Sequence, residues 1–345
     1  MILEGDILII EVIISFILRR SDMLKNAIVF CPYFGKLPDY FQLWLNSCKS
    51  NSKINFIIFS DSDKKYMVPS NVEIVKLQFE EFVDIIQSKF DFKISLNTPY
   101  KLCDYKPAYG YLFSNYIANY DYWGCCDIDV IWGDIGKFMP DTDFDKINYN
   151  AHFSLYKNKE KINKAFMTRN NILSYKDIYT TDVHMAYDED KRYGINSILE
   201  SMGYKICDIS ENVADLRVET NNLQYPDKST KGVIQKYNKS KKIIAYEYGR
   251  IYSYYIENNS LCKKEFAYVH MQKRKMQLKQ LDDGNCFLIC AHSIIPYQLP
   301  TIKIIETMQE RSFYIDLLAI KYKALISKFN RMLFLIKLEG DREKK

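Results

Sequence analysis

The stretch Trp123–Ile135, WGCCDIDVIWGDI, places Asp127 and Asp129 one residue apart inside an apolar run. Burying a carboxylate is costly unless a partner compensates its charge. On a strand, residues i and i+2 point to the same side with Cα atoms about 6.6 Å apart, so the two carboxylates are predicted to face one way. Such a pair repels itself unless a cation or a proton lies between the oxygens. The apolar setting therefore favours a site for Mg²⁺ or Mn²⁺ over a chance D-x-D in a solvated turn.

Apolar runs on the amino-terminal side of this stretch predict strands that alternate with helices. The predicted strands cover residues 27–35, 54–63, 72–77 and 120–132. The helix ahead of the last strand is predicted to begin near Pro107. Strands that are apolar on both faces indicate a Rossmann-type, mostly parallel α/β sheet with helices on both sides. Ligands bind such sheets at the carboxyl ends of the strands, where four aspartates fall: Asp61, Asp63, Asp127 and Asp129.

Several classes of protein are disfavoured by the sequence. No G-x-G-x-x-G or P-loop pattern follows the first predicted strand, which argues against a dinucleotide enzyme or an NTPase. A formal net charge of +5 on 345 residues is too small to indicate nucleic-acid binding. The nine cysteines contain no C-x-x-C pair, and we interpret them as reduced thiols of a cytoplasmic protein.

The chain is predicted to divide into four parts. Residues 1–22 are interpreted as an extension or a mis-assigned start, with a weak membrane contact as the alternative. Residues 23–150 form the α/β half. Residues 151–305 complete the domain, with a helix over 188–203 closed by Gly203, a loop or lid over 221–232, and β-rich chain from 242 to 271. Residues 306–345 form a C-terminal helix.

The C-terminal tail has two interpretations. Residues 312–345 carry eight Lys or Arg and four Asp or Glu, and their apolar residues recur at helical spacing. The tail is either a helix packed on the domain or on a partner subunit, or a basic amphipathic helix lying on an anionic membrane. The second interpretation would place the protein at the cytoplasmic face of the inner membrane.

Six stretches together resemble a bacterial family of GT-A-type glycosyltransferases found in capsule and lipopolysaccharide synthesis. They span about residues 27–274: IVFCPYFGKLPDYFQLWLNSC, FIIFSDSD, YKLCDYKPAYGYLF, YWGCCDIDVIWGDI, AYDEDKRYGIN and FAYVHMQKR. The resemblance implies a GT-A fold and an Asp-x-Asp motif that binds Mn²⁺ or Mg²⁺. It implies transfer from a nucleotide-sugar donor, UDP-linked by analogy, to a saccharide or lipid-linked acceptor. Residues 23–150 would bind the donor and 151–305 the acceptor.

The resemblance also suggests roles for the metal and diphosphate. Asp127 and Asp129 would hold the metal and the donor diphosphate, and His270 would be the third metal ligand. Lys273 and Arg274, directly after it, would clamp the diphosphate. The alternative for His270 is a core histidine.

Other suggested roles concern the nucleoside and the acceptor. Pro32 and Tyr33 would contact the nucleoside together with Asp61, which is alternatively only a turn former. Lys106 would approach the donor or be a solvated charge at a helix start. Asp188 or Glu189 would be the general base if the reaction inverts the anomeric centre, or simply favourable acidic residues at a helix start.

Two other function classes remain open. A metal-dependent phosphoesterase would also use clustered aspartates and a late histidine, although it usually needs more ligands than four scattered histidines provide. A non-catalytic paralogue in polysaccharide assembly would not depend on Asp127 and Asp129.

Overall fold

The computed structural model describes residues 26–218, 222–227, 236–237, 240–272, 274–282, 284–308 and 316–343. The predicted extension 1–22, residue Lys273 and half of the predicted loop 221–232 (221 and 228–232) lie outside the described residues.

Helices and strands alternate through the first half, and strands dominate the second. The strands are β1 (Ala27–Pro32), β2 (Ile54–Ser60), β3 (Val72–Lys76), β4 (Tyr122–Cys126), β5 (Val130–Trp132), β6 (Lys146–Ile147), β7 (Phe153–Lys157), β8 (Ile206–Cys207), β9 (Val213–Asp215), β10 (Pro226–Asp227), β11 (Lys236–Tyr237), β12 (Lys242–Glu247), β13 (Arg250–Glu257), β14 (Ser260–Phe266), β15 (Tyr268–His270), β16 (Gln277–Leu278), β17 (Cys286–Ile289) and β18 (Ser293–Pro296). The α-helices are α1 (Phe41–Cys48), α2 (Phe79–Gln87), α3 (Tyr109–Leu112), α4 (Ser114–Ile117), α5 (Glu160–Asn163), α6 (Tyr175–Tyr179), α7 (Ile195–Ser201), α8 (Ile302–Thr307) and α9 (Asp316–Glu343).

A seven-stranded mixed sheet in the order β3-β2-β1-β4-β7-β6-β8 organises the first half. Strands β3, β2, β1 and β4 are parallel to one another, and β7 runs antiparallel to β4. The predicted α/β sheet is therefore confirmed as a large mixed sheet, parallel over four strands. The chain between β4 and β7, residues 127–152, passes through β5 and β6 before it returns beside β4 in the opposite direction.

The strands are buried on both faces, as their apolar runs predict. Along β1, Ala27, Val29 and Cys31 belong to one hydrophobic cluster, while Ile28 and Phe30 belong to another on the opposite face. Helix α1 covers the first face, and α2 and α7 cover the second. This two-sided burial leaves the carboxyl edge of the parallel strands as the exposed end of the sheet.

The β-rich C-terminal part forms its own sheet. Six strands pair in the order β14-β13-β12-β17-β18-β16, and helix α8 packs on the sheet through Ile305. A smaller sheet, β5-β15-β9, connects this part to the stretch that follows β4. The predicted β-rich second half is confirmed.

The prediction of one strand through Asp127 and Asp129 is wrong. Strand β4 ends at Cys126, and β5 begins at Val130 in a different sheet. The two aspartates therefore lie in the turn between two sheets. The apolar run looks continuous because both strands are fully buried, and periodicity cannot reveal a change of sheet between two buried strands.

Helix boundaries also differ from the predictions. The chain from Pro99 to Ala108 is a 3-10 helix that precedes α3, so the helical segment begins before Pro107. The helix predicted over 188–203 covers only Ile195–Ser201, and Gly203, with φ +79°, closes it as predicted. Acidic and glycine residues at 188–194 form turns instead, where side chains compete for backbone groups.

Candidate metal and ligand site

The turn that carries Asp127 and Asp129 is fixed at both ends by backbone hydrogen bonds. The Asp127 amide donates to the His152 carbonyl, just before β7, at 3.1 Å. The Met271 amide, just after β15, donates to the Asp129 carbonyl at 2.8 Å. The turn therefore brings together the carboxyl end of β4, the start of β7 and the end of β15.

His270 reaches the same place from β15. In the small sheet it pairs with Val130 of β5 on one side and with Asp215 of β9 on the other. Its Nδ1 lies 2.8 Å from Asp215 Oδ1, and its Nε2 lies 3.3 Å from Asp129 Oδ1. An ionised carboxylate only accepts hydrogen bonds, so Nδ1 donates to Asp215 and Nε2 faces the aspartate pair.

Asp127, Asp129 and His270 offer ligand atoms that all lie within 4.8 Å of one another. Two carboxylates and an imidazole suit a divalent ion such as Mn²⁺, which accepts both oxygen and nitrogen ligands. Asp129 Oδ1 is buried, and its nearest polar neighbour among the ion pairs of the described ranges is His270 Nε2, at 3.3 Å, beyond the usual length of a charge-assisted hydrogen bond. A buried carboxylate oxygen left without a partner is costly, and a cation would satisfy it. The donor set therefore fits a divalent metal.

Opposite charges control the protonation of this cluster. Burial alone would lower the pKa of His270, but the carboxylates of Asp129 and Asp215 raise it to about 10. Burial alone would raise the pKa of Asp127, but the charges of Lys106 and His270 hold it below its usual value. Metal binding at Nε2 would therefore have to displace a proton, so affinity should fall at low pH.

A second histidine lies beside the first. The His152 ring stacks on the His270 ring with centroids 4.2 Å apart, and its Nδ1 pairs with the Tyr268 hydroxyl at 3.1 Å. Burial and the neighbouring His270 charge lower the pKa of His152 to about 3, so its ring is neutral. Its Nε2 is buried and has no hydrogen-bond partner among the residues the structure covers. His152 and Asp215 form a further possible ligand group with His270.

Lys106 is a buried cation behind the aspartate pair. Its Nζ donates to Asp127 Oδ1 at 2.5 Å and to the Ala151 carbonyl at 3.1 Å, and it lies 3.6 Å from Asp188 Oδ2. Its side chain is only 7% exposed. The alternative of a solvated charge at a helix start is therefore wrong, because the 3-10 helix carries Lys106 into the core.

A cleft of about 760 Å³ opens in front of these groups. It lies at the carboxyl ends of β1 and β4, where parallel sheets bind ligands. Among the predicted site residues it is lined by Pro32, Tyr33, Lys106, Asp127, Asp129 and Arg274. The structure thus brings together most of the predicted donor-binding residues.

Tyr33 and Asp61 lie near one another at the end of β1. The Tyr33 hydroxyl donates to the Lys36 carbonyl at 3.2 Å, which holds the ring at the cleft wall. Asp61 Oδ1 accepts from the Gly35 amide at 2.9 Å, and Asp61 does not line the cleft. Gly35 has φ +103°, so Asp61 fastens a turn that needs glycine.

Asp188 and Glu189 differ in accessibility. Asp188 is 5% exposed and lies behind Lys106, whereas Glu189 is exposed. Burial raises the pKa of Asp188 well above its usual value, and Lys106 offsets this only in part. Neither carboxylate lines the cleft, and neither belongs to the group formed by Asp127, Asp129 and His270.

Arg274 lines the cleft but its guanidinium is engaged with backbone. It donates to the carbonyls of Ala291 at 2.9 Å, Arg217 at 2.7 Å and Asn222 at 3.3 Å. These contacts join the chain around residues 217 and 222 to the β-rich part at Ala291. The predicted diphosphate clamp by Arg274 stays a prediction, and its partner Lys273 is outside the described residues.

Sequence reasoning missed Asp215 and His152. Asp215 ends a three-residue strand, and His152 precedes β7 in a turn. Strands this short carry no periodic signal. The pairing of a metal-ligating histidine with a second carboxylate is common enough that Asp215 could have been sought, but many acidic residues would have qualified.

The fold and the site define a mixed α/β protein with an acidic and histidine cluster at the carboxyl end of a parallel half-sheet. The chain belongs to a family of unknown function, DUF6625, whose model matches residues 29–298. No curated protein shows significant similarity to it.

Proposed function

We propose that this protein is a metal-dependent glycosyltransferase. It would transfer a sugar from a nucleotide-sugar donor, UDP-linked, to a saccharide or lipid-linked acceptor in surface polysaccharide synthesis. The observation that carries the proposal is the convergence of Asp127, Asp129 and His270, with both aspartates lining a cleft of about 760 Å³. The proposal includes a GT-A fold, which is supported by the four parallel strands and by the D-x-D turn directly after β4.

Each site residue would have a separate role in donor binding. Asp127, Asp129 and His270 would hold Mn²⁺ or Mg²⁺. When bound, the metal would stabilise negative charge on the departing diphosphate. Tyr33 and Pro32 form an apolar wall suited to stacking on a nucleoside base. Lys106 keeps Asp127 ionised and oriented, so it acts as a positioning residue.

The general base that deprotonates the acceptor hydroxyl would be Asp188 or Glu189. Glu189 is the more accessible of the two, and Asp188 has the raised pKa that suits proton transfer. If Asp188 is the base, Asp188→Asn should nearly abolish transfer and leave donor binding intact. If Glu189 is the base, Glu189→Gln should do so instead.

The first experiment is calorimetric titration of Mn²⁺, and then of UDP, into the full chain. We expect Mn²⁺ to bind, and UDP to bind only with Mn²⁺ present and not with EDTA. The double variant Asp127→Asn/Asp129→Asn should lose both. Asp121→Asn is the matched control, because Asp121 is exposed just before the amino end of β4, away from the cleft.

Two results would overturn the proposal. One is an absence of metal-dependent binding of UDP, GDP or CDP. The other is metal-dependent hydrolysis of a simple phosphate ester with no requirement for a nucleotide sugar, which would favour a phosphoesterase. Release of UDP from a UDP-sugar only when an acceptor saccharide is present would support transfer directly.

A further inference from the structure

Helix α9 packs on the domain with one face only. Phe334, Leu335 and Leu338 join the hydrophobic cluster that covers the sheet. Arg331 lies 3.7 Å from Asp190, and Arg342 donates to the Ile172 carbonyl at 2.7 Å and pairs with Asp177. These contacts fix the helix through its carboxyl-terminal half and leave its other face outward.

The outward face is apolar. Seven large apolar side chains on it are 40% to 66% exposed: Tyr322, Leu325, Ile326, Phe329, Met332, Leu333 and Ile336. At 3.6 residues per turn they occupy an arc of about 120°, opposite the packed residues, over about 20 Å of helix. Contiguous exposed apolar surface of this kind marks an interaction site.

The edges of this apolar face are basic. Lys321 and Lys328 border it on one side, and Lys323 and Lys337 border it on the other, all four exposed. No acidic residue occurs between residues 321 and 337. A second copy of the helix would bring lysines against lysines, whereas an anionic surface complements both edges at once.

We propose that the outward face of α9 docks the protein on an anionic lipid bilayer. The apolar arc would enter the boundary between headgroups and acyl chains while the four lysines contact lipid phosphates, as in an interfacial helix. No helix within the described part of the chain is long and apolar enough to cross a membrane. The helix would thus lie in the membrane surface. This proposal is independent of the metal site.

The test is cosedimentation of the full chain with vesicles, in EDTA and without nucleotide, so that the metal site plays no part. Vesicles of phosphatidylcholine are compared with vesicles that contain 30% phosphatidylglycerol. We expect binding to the anionic vesicles, weakened at high salt. Leu325→Gln/Phe329→Gln should reduce the partition coefficient at least about tenfold, since glutamine keeps the helix but removes the apolar contact.

A charge variant and a control complete the design. Lys328→Gln/Lys337→Gln, which removes one lysine from each edge, should also weaken anionic binding about tenfold. Met67→Gln/Leu299→Gln removes two apolar residues outside α9 that are more exposed than Leu325 and Phe329, and it should change nothing. Absence of vesicle binding would overturn the proposal, as would equal binding by the apolar variant. A wild-type dimer that the apolar variant converts to a monomer, without lipid binding, would assign the face to a second copy.

Discussion

Lys106→Met tests whether the buried charges behind the cleft depend on one cation. Among the ion pairs of the described residues, Lys106 Nζ is the positive group nearest to two carboxylates. It lies 2.5 Å from Asp127 Oδ1 and 3.6 Å from Asp188 Oδ2. Methionine keeps the length and the apolar stem but removes the charge. Asp127 would then keep the charge of His270 but lose that of Lys106, and Asp188 would lose its ion-pair partner in a site of low polarity.

The expected cost follows from the burial of the three groups. Removing one partner of a buried ion pair costs about 3–5 kcal/mol. The Lys106 and Asp188 side chains are each 7% exposed, but Asp127 is 34% exposed. Because water screens Asp127 in part, we expect the lower end of the range, a loss of about 3 kcal/mol in the free energy of unfolding. Neutralising the buried partner as well, in Lys106→Met/Asp188→Asn, should recover about 2 kcal/mol.

The assay is urea denaturation followed by tryptophan fluorescence. Trp44, Trp123 and Trp132 are the three tryptophans of the chain and all are fully buried, so their emission reports unfolding of the core. Lys137→Met is the matched control. Its ion pair with Glu265 lies nearer the surface, and its loss should cost no more than about 1 kcal/mol.

A Lys106→Met variant as stable as the Lys137→Met control would contradict this prediction. The prediction would also be refuted if Asp188→Asn made the Lys106→Met variant less stable. Either result would mean that the carboxylates near Lys106 are compensated by groups other than this lysine.

Three further predictions concern other parts of the chain. Burial lowers the pKa of Lys146 to about 7, so above pH 7 the unfolded state binds more protons than the folded state and the free energy of unfolding rises with pH. Lys146→Met should reduce the slope of the free energy of unfolding against pH by up to about 1.4 kcal/mol per pH unit between pH 7 and 9. An unchanged slope in denaturation curves would contradict this prediction. If His270 is a metal ligand, Asp215→Asn should lower the Mn²⁺ affinity about 10–100-fold in calorimetry, because Asp215 orients the His270 imidazole. A variant with wild-type affinity would show that Asp215 does not orient a metal ligand. Gly124→Ala should lower the free energy of unfolding by at least about 2 kcal/mol in thermal or urea denaturation, because an added Cβ would lie 2.3 Å from a backbone oxygen of β7. Gly136→Ala should be tolerated, because the atom nearest to its added Cβ is 3.5 Å away. Equal stability of the two variants would contradict this prediction.

The elements of the first half could be read from the sequence. Strands β1, β2 and β3 and helices α1 and α2 are long enough to show their periodicity, and their apolar runs indicate burial on both faces. The amphipathic tail is likewise visible, because 28 helical residues repeat their pattern many times. These signals are local, so they can be detected without knowing which residues each helix or strand packs against.

The surroundings of the aspartate pair were decided only by tertiary structure. His270 meets Asp215, 55 residues away, because β15 lies between β5 and β9 in register. Lys106 becomes a buried counter-ion only because the 3-10 helix before α3 packs under the turn. Register between short strands depends on packing across the whole domain.

From the sequence alone, Asp127 and Asp129 could be placed within the carboxyl end of a buried strand, at the ligand-binding edge of an α/β sheet. Tertiary structure decided that they occupy a turn between two sheets and not one strand, and which residues surround them. Likewise, the sequence determined that α9 is amphipathic, and only the contacts of Phe334, Leu335 and Leu338 decided which apolar residues face outward. Burial and charge pairing join residues that lie far apart in the chain, whereas helix and strand periodicity reports only on residues close together in sequence.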